Sequence, residues 1–288
     1  MQQASETERP DPGQPIDVRQ VAIALDCSTL NRVALETAVS LAAATGAKLR
    51  AVFIEDQCLY SLGGLPFARE ISYSGTSGHQ FDAQKIGLEI ARSARAAETA
   101  VSAAASRARV EWAFDTVRGM LDHALVEAGE GAEILALGSS KTRIGRVHSI
   151  RVLRHTLRHG SGVIVAPASM EFASGPVLAI LSPGAEAGIM VKTAERIAGQ
   201  SNRSHRFLIV SDDAAERAAL HQKLHEVQSS SVEVIFCEVN RLADVTRMLR
   251  GQAPGLVIAD IDYAHLDEAS SAERVSEAFG APLLLIQI

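Results

Sequence analysis

Aromatic residues and cysteines are scarce in this chain: Phe, Trp and Tyr make up 4% of its 288 residues, and three residues are cysteines. Cys27, Cys58 and Cys237 lie far apart and match neither a zinc-ligand spacing nor a CxxC motif. A disulfide framework is therefore excluded, and small buried thiols in a reducing compartment are expected.

Long apolar segments are also missing. No run approaches the roughly 20 residues that cross a bilayer, and the polar N-terminus has no apolar signal-peptide core. We therefore predict a cytoplasmic protein with no membrane partner, in which residues 1–16 form a disordered leader.

Sequence signatures of catalysis and of nucleic-acid binding are lacking too. The net charge is −6, whereas nucleic-acid binders are usually basic, so no nucleic-acid partner is predicted. There is no Gly-x-Ser-x-Gly elbow, HExxH pair, complete P-loop or dinucleotide Gly-x-Gly-x-x-Gly. These absences predict that the protein is not an enzyme and holds no metal of its own.

Short runs of Ala, Val, Leu and Ile alternate with segments of helical period, which predicts a parallel α/β fold. The order β-α-β-α-β-α-β-α-β occurs twice, with domains at residues 17–168 and 177–288 and a linker over 169–176. Because parallel strands need right-handed crossovers, each copy is predicted to be a doubly wound, five-stranded, Rossmann-like sheet.

The first copy resembles the universal stress protein family over roughly residues 18–168. The stretch VAIALDCSTLNRVALETAVSLAAATGAKLRAVFIED is similar to that family's first strand, Asp-x-Ser loop, Ala-rich helix and second strand. Further on, AEILALGSS and SIRVLRHTLRHGSGVIVAP resemble its fourth strand, last helix and last strand. The resemblance implies an adenine nucleotide alpha hydrolase-like fold. The second copy resembles the family mainly in topology, and its first loop, Leu181 to Gly184, lacks the acidic residue.

By resemblance, ATP or AMP would bind in the first domain at the carboxyl ends of the strands. No catalytic residue is implied, and no metal beyond nucleotide-associated Mg. The family's phosphate-binding motif is Gly-x-x-Gly, followed after nine residues by Gly-Ser or Gly-Thr. Its bare backbone N–H groups would hold the phosphates. Gly138 matches the first glycine and Ser149 the hydroxyl residue, but Lys141 replaces the second glycine and Gly145 lies at another offset. The positions implied to contact the nucleotide are Asp26, Ser28, Ile54, Gly138, Lys141, Arg143, Gly145 and Ser149.

Alternatives to a ligand stay open at several of these positions. Ser28 or Thr29 is suited to cap the first helix, and Asp26 to provide an acceptor in the same turn. From Lys141 to His159 there are six basic residues and no acid, which would favour a phosphate or would form a solvated helix face. Cys58 to Tyr60 and Leu65 to Arg69 are too apolar for a free linker and would cover the cleft, pack against a partner or join the core.

Two functions therefore remain: a regulatory protein that binds ATP or AMP in its first domain, or a nucleotide-free adaptor or dimerisation protein in which both domains are structural. The resemblance also implies pairing through the last strands, either in a homodimer or within the chain as a pseudo-dimer. An apolar strand such as Leu283–Ile286 would aggregate as an exposed edge, so we predict that it is covered.

Overall fold

The computed structural model of the chain describes residues 17–27, 30–63, 69–70, 79–80, 83–138, 150–159, 162–170, 174–183, 187–227, 233–237, 242–262 and 272–287. The strands in these ranges are β1 (Gln20–Leu25), β2 (Lys48–Asp56), β3 (Arg69–Glu70), β4 (His79–Gln80), β5 (Trp112–Gly119), β6 (Ile134–Gly138), β7 (Gly162–Ala166), β8 (Val177–Leu181), β9 (His205–Val210), β10 (Glu233–Cys237), β11 (Leu256–Asp260) and β12 (Leu283–Ile286). The helices are α1 (Arg32–Thr45), α2 (Gln57–Gly63), α3 (Ala83–Ala108), α4 (Leu121–Gly129), α5 (Ile150–His159), α6 (Ala187–Gln200), α7 (Ala214–Val227), α8 (Leu242–Gly251) and α9 (Ala272–Phe279).

Ten of the strands form one continuous sheet in the order β10-β9-β8-β11-β12-β7-β6-β1-β2-β5. Each half has the same doubly wound order of strands, and every neighbouring pair within a half is parallel. The predicted α/β fold with two five-stranded parallel units is therefore confirmed, and the two units share one sheet. The domain boundaries stay a prediction.

The central strands are apolar along their whole length because helices cover both faces of the sheet. One apolar cluster packs α1, α3, α6 and α7 on one face, and a second packs α4, α5, α8 and α9 on the other. At the edge of the sheet β5 alternates half-buried and exposed residues instead. In the described residues no helix combines the length and apolar character needed to cross a bilayer.

Helix α1 begins later than the sequence indicates. Asn31 is its N-cap, and the Asn31 side-chain oxygen accepts a hydrogen bond from the Ala34 N–H. The expectation that Ser28 or Thr29 caps this helix was wrong, and both residues lie outside the described ranges. Gly46 ends α1 at φ 68°, as predicted, because a left-handed residue closes the last turn without a Cβ clash.

The two halves join where β7 and β12 pair antiparallel, with Leu283 opposite Val165, Leu284 opposite Ile164 and Leu285 opposite Val163. The Ser276 hydroxyl lies 2.9 Å from the carbonyl oxygens of both Val165 and Ala281, which ties α9 to β7. The last strands thus pair within the chain, and β12 is covered as predicted.

Close packing at this junction depends on Gly162. A Cβ atom there would lie 2.8 Å from Leu284 Cδ1 and 3.3 Å from the Leu285 carbonyl oxygen. Both distances are shorter than ordinary van der Waals contacts, so glycine lets β7 begin directly against β12.

We predict that Leu284→Ala lowers the free energy of unfolding by about 2–5 kcal/mol, because it opens a cavity at the junction of the halves. Leu284 is fully buried, whereas Leu88 on α3 is 61% exposed. The matched control Leu88→Ala should therefore change stability by less than about 0.5 kcal/mol. Urea unfolding followed by circular dichroism measures both variants, and equal effects would contradict the importance given to the junction.

Candidate functional site

The candidate site lies at the point where the strand order of the first half reverses, between β1 and β6. In open parallel sheets ligands bind outside the carboxyl ends of the strands at such a point. Asp26 and Cys27 follow β1 directly, and Gly138 is the last residue of β6. The fold therefore brings Asp26 and Gly138 to the same end of the sheet, where the strands have their carboxyl ends, as expected from sequence.

Strand β2 extends beyond β1 at this carboxyl end of the sheet. Its pairing with β1 ends where Phe53 lies opposite Leu25, whereas its pairing with β5 continues to Asp56 opposite Gly119. Over Ile54–Asp56, the side of β2 that faces β1 has no strand partner among the described residues. The Ile54 side chain is buried in the core, so only its backbone is suited to contact a ligand, as the resemblance implied.

Three carboxylates surround Cys27 at the tips of β1 and β2. Burial raises the pKa of the Cys27 thiol to about 11, and the negative charges of Asp26, Glu55 and Asp56 add to this rise. Asp26 acts on this thiol as its neighbour in the chain, and Glu55 and Asp56 act on it from the tip of β2. Within the described ranges, no group of three or more His, Cys, Asp or Glu side chains is arranged to hold a metal ion.

The Glu55 and Asp56 carboxylates are both held by hydrogen bonds. The Glu55 carboxylate accepts hydrogen bonds from Arg118 Nε at 2.8 Å and from the Tyr60 hydroxyl at 3.0 Å. Asp56 accepts a hydrogen bond from the Cys58 N–H at 2.8 Å at the start of α2. The negative charge at the tip of β2 is thus partly neutralised.

Tyr60 links α2 to the ends of β2 and β5. The Arg118 guanidinium carbon lies 4.2 Å from the centre of the Tyr60 ring, a cation–π contact. Leu59 and Tyr60 also pack against the core cluster. Leu59 and Tyr60 therefore join the core, one of the alternatives left open by the sequence, whereas residues 64–68 lie outside the described residues. Cys58 is exposed, so its predicted burial was wrong.

Asn31 is a residue of this site that the sequence interpretation missed. Its side-chain amide donates a hydrogen bond to the Pro167 carbonyl oxygen at 3.2 Å, which connects the start of α1 to the end of β7. A Cβ atom on Gly138 would lie 2.4 Å from Asn31 Cβ. Gly138 is therefore needed for the approach of Asn31, whether or not a phosphate binds. The signal available in the sequence was the preference of Asn for N-cap positions.

Five of the predicted site residues, Ser28, Lys141, Arg143, Gly145 and Ser149, lie outside the described residues. The structure places the other three at the carboxyl ends of neighbouring strands in the order β2-β1-β6: Ile54 on β2, Asp26 directly after β1 and Gly138 on β6.

The carboxyl ends of the corresponding strands in the second half are arranged differently. Strand β9 extends only one residue, Val210, beyond its pairing with β8, which ends where Leu181 lies opposite Ile209. Ser182 follows β8 and is buried. The second half therefore has neither the three-residue extension nor an acid directly after its first strand.

Comparison with solved structures identifies the architecture. A universal stress protein from Archaeoglobus fulgidus aligns with a TM-score of 0.62 and 12% identity, covering 92% of this chain and 96% of that chain. The chain has the fold of a tandem universal stress protein. A Pseudomonas aeruginosa protein assigned to the universal stress proteins aligns with a TM-score of 0.58 and 13% identity, covering 94% of this chain and 93% of its own.

The same fold is also found in a domain of a transport protein. The cytoplasmic domain of a prokaryotic cation chloride cotransporter aligns with a TM-score of 0.50 and 11% identity, covering 94% of this chain and 96% of that domain. No family model and no curated protein sequence matches the chain. At these identities the likeness is one of fold.

We predict that Gly138→Ala destabilises the protein by about 1–3 kcal/mol, because its new Cβ meets the Asn31 side chain. Combining it with Asn31→Gly removes the opposing Cβ, so the double variant should cost at least about 1 kcal/mol less than the sum of the single variants. Thermal unfolding gives all three values.

Gly199→Ala in α6 is the matched control, because a Cβ there meets nothing within 4 Å. It should be neutral or stabilising by up to about 1 kcal/mol. Additive effects of the Asn31 and Gly138 substitutions would contradict the close contact.

The position of Asp26 is tested through the Cys27 thiol. In a Cys58→Ser, Cys237→Ser background, the alkylation rate should reach half its maximum near pH 11, because the thiolate is the reacting form. Asp26→Asn removes a negative charge that opposes thiolate formation, so the pKa should fall. Asp212→Asn, in the loop after β9, should leave it unchanged. An unaltered Cys27 pKa in Asp26→Asn would mean that Asp26 faces elsewhere.

Proposed function

We propose that this chain is a regulatory protein of the universal stress protein type that acts without catalysis in the cytoplasm and binds ATP or AMP in its first half. The observation that carries the proposal is the extension of β2 beyond β1, beside Asp26 and at the reversal of strand order. An adenine base needs backbone donors and acceptors that no neighbouring strand uses, and the tip of β2 offers them.

The ribose and the phosphates would also find partners at this carboxyl end of the sheet. Asp26 is suited to accept hydrogen bonds from ribose hydroxyls. The phosphates would lie towards the end of β6 and the N-terminus of α5, whose first turn has no acidic residue. Lys141 and Arg143 belong to the basic segment before α5, and we propose that they contact the phosphates.

The charges at the tip of β2 are consistent with this orientation. Arg118 neutralises Glu55, and Asp56 is bound to the Cys58 N–H. Carboxylates there would still repel a phosphate more than a neutral base or a ribose. The base is therefore proposed to lie at β2 and the phosphates at β6, not the reverse.

A second candidate is a nucleotide-free adaptor, and the contact between Asn31 and Gly138 favours it. The Asn31 side chain occupies the space next to Gly138 that a bound phosphate would use. The two halves also pair with each other through their last strands, as expected of a structural pseudo-dimer.

Calorimetric titration of ATP and of AMP distinguishes the two functions. The wild type should bind one nucleotide per chain, because only the first half has the β2 extension. Asp26→Ala should weaken binding roughly 10-fold or more, the usual cost of losing a hydrogen bond to a charged group. Titrations with Mg²⁺ and with a chelator show whether a metal accompanies the nucleotide.

Asp212→Ala is the matched control, since Asp212 is an exposed acid near the carboxyl end of β9 in the second half. It should bind as the wild type does. Absence of heat with both nucleotides at millimolar concentration would reject the nucleotide proposal in favour of the adaptor.

A further inference from the structure

A cavity of about 370 Å³ lies between the two halves on the face of the sheet that carries α1 and α6. Its size is within the range of small-molecule sites. The first half contributes one side of α1 and Ile164 of β7, and the second half contributes the end of α6 and the starts of β8 and β11. The cavity exists only because β7 and β12 join the halves.

The interior of the cavity is largely apolar, and its polar groups lie on a few residues. Aliphatic side chains of both halves line it, and Met170 from the segment after β7 adds a flexible thioether. The residues with polar side chains are Glu36, Thr37, Ser40, Ser174, Ser201 and Arg203.

Arg203 is the cation of this cavity. Burial lowers the pKa of its guanidinium, and none of the described residues gives Arg203 an ion pair. Arg203 is half-buried, so its guanidinium has lost part of its hydration, which a bound anion would replace.

The backbone holds Arg203 in place at the end of α6. The Arg203 N–H donates a hydrogen bond to the Ala198 carbonyl oxygen at 2.9 Å, after a left-handed turn at Asn202 with φ 50°. The guanidinium lies over Gly255, where a Cβ atom would be 2.9 Å from Arg203 Nη1. A Cβ atom on Gly255 would lie still closer, at 2.5 Å, to the Gly175 carbonyl oxygen, so glycine just before β11 makes room for that backbone as well as for the guanidinium.

We propose that this cavity binds a small monocarboxylate with an aliphatic tail, whose carboxylate pairs with Arg203 and whose tail lies between α1 and α6. A planar guanidinium donates two parallel hydrogen bonds to a carboxylate. Leu41, Ile197 and Leu256 are among the side chains that would cover the tail. The ligand would contact both halves and so stabilise their association.

Glu36 is the acidic group that shares the cavity. It lies on α1 and is exposed, and no ion pair joins it to Arg203. Its negative charge opposes a bound carboxylate. Glu36→Gln removes this repulsion and should therefore tighten the binding of a carboxylate.

Octanoate is the probe, with 1-octanol as its neutral counterpart and inorganic phosphate as an anion without a tail. Calorimetry on the wild type should show one site for octanoate, at least roughly tenfold weaker binding of octanol, and no binding of phosphate. Arg203→Gln should weaken octanoate roughly tenfold or more and leave octanol unchanged. Arg107→Gln, on the adjacent surface of α3, is the matched control and should bind octanoate as the wild type does.

Ala44→Leu gives a test that keeps Arg203 intact, because the larger side chain fills the cavity from α1. It should abolish octanoate binding while circular dichroism shows a folded protein. Equal binding of octanoate and octanol, equal binding by wild type and Arg203→Gln, or unchanged binding by Ala44→Leu would overturn the proposal. So would the absence of octanoate binding to the wild type. ATP or AMP binding at Asp26 is measured separately, so either proposal can fail alone.

Discussion

The antiparallel pairing of β7 with β12 is the interaction on which the rest of the molecule depends. Each is the last strand of its half, and each would otherwise expose a fully apolar edge that invites aggregation. Their pairing converts two five-stranded sheets into one sheet whose outer edges, β5 and β10, lie far from the junction. It also brings α1 against α6 on one face and forms the ion pair between Arg154 and Asp262, so that contacts between the halves follow from this single register.

The buried strands could be predicted because a strand covered on both faces is a short, continuous apolar run. Val177–Leu181 and Leu283–Ile286 are fully buried, as their composition indicates. The start of α1 could not be predicted in the same way, because Ser28, Thr29 and Asn31 are all good N-cap residues. What selects Asn31 is its second hydrogen bond, to Pro167, a residue 136 positions away in the chain. A local pattern contains no information about such a partner.

The candidate site, too, could be predicted only where its features depend on residues close together in the sequence or on the order of the strands. Asp26 and Gly138 could be assigned to one edge from the strand order alone, since parallel strands end together. The reason for glycine at position 138 could not, because the contacting residue belongs to α1. Tyr60 is a further example: its hydrogen bond to Glu55 is local, but its contact with Arg118 depends on the pairing of β2 with β5.

The cap at α1 also bears on where an anion would bind. A free helix N-terminus attracts anions through N–H groups without partners. At α1 the Ala34 N–H, one of the first-turn donors without a helical partner, donates to the Asn31 side chain. The helix after β1 therefore has fewer donors to offer. The N-terminus of α5, which follows the basic segment and has no acid in its first turn, is by charge the more favourable place for an anion in the first half.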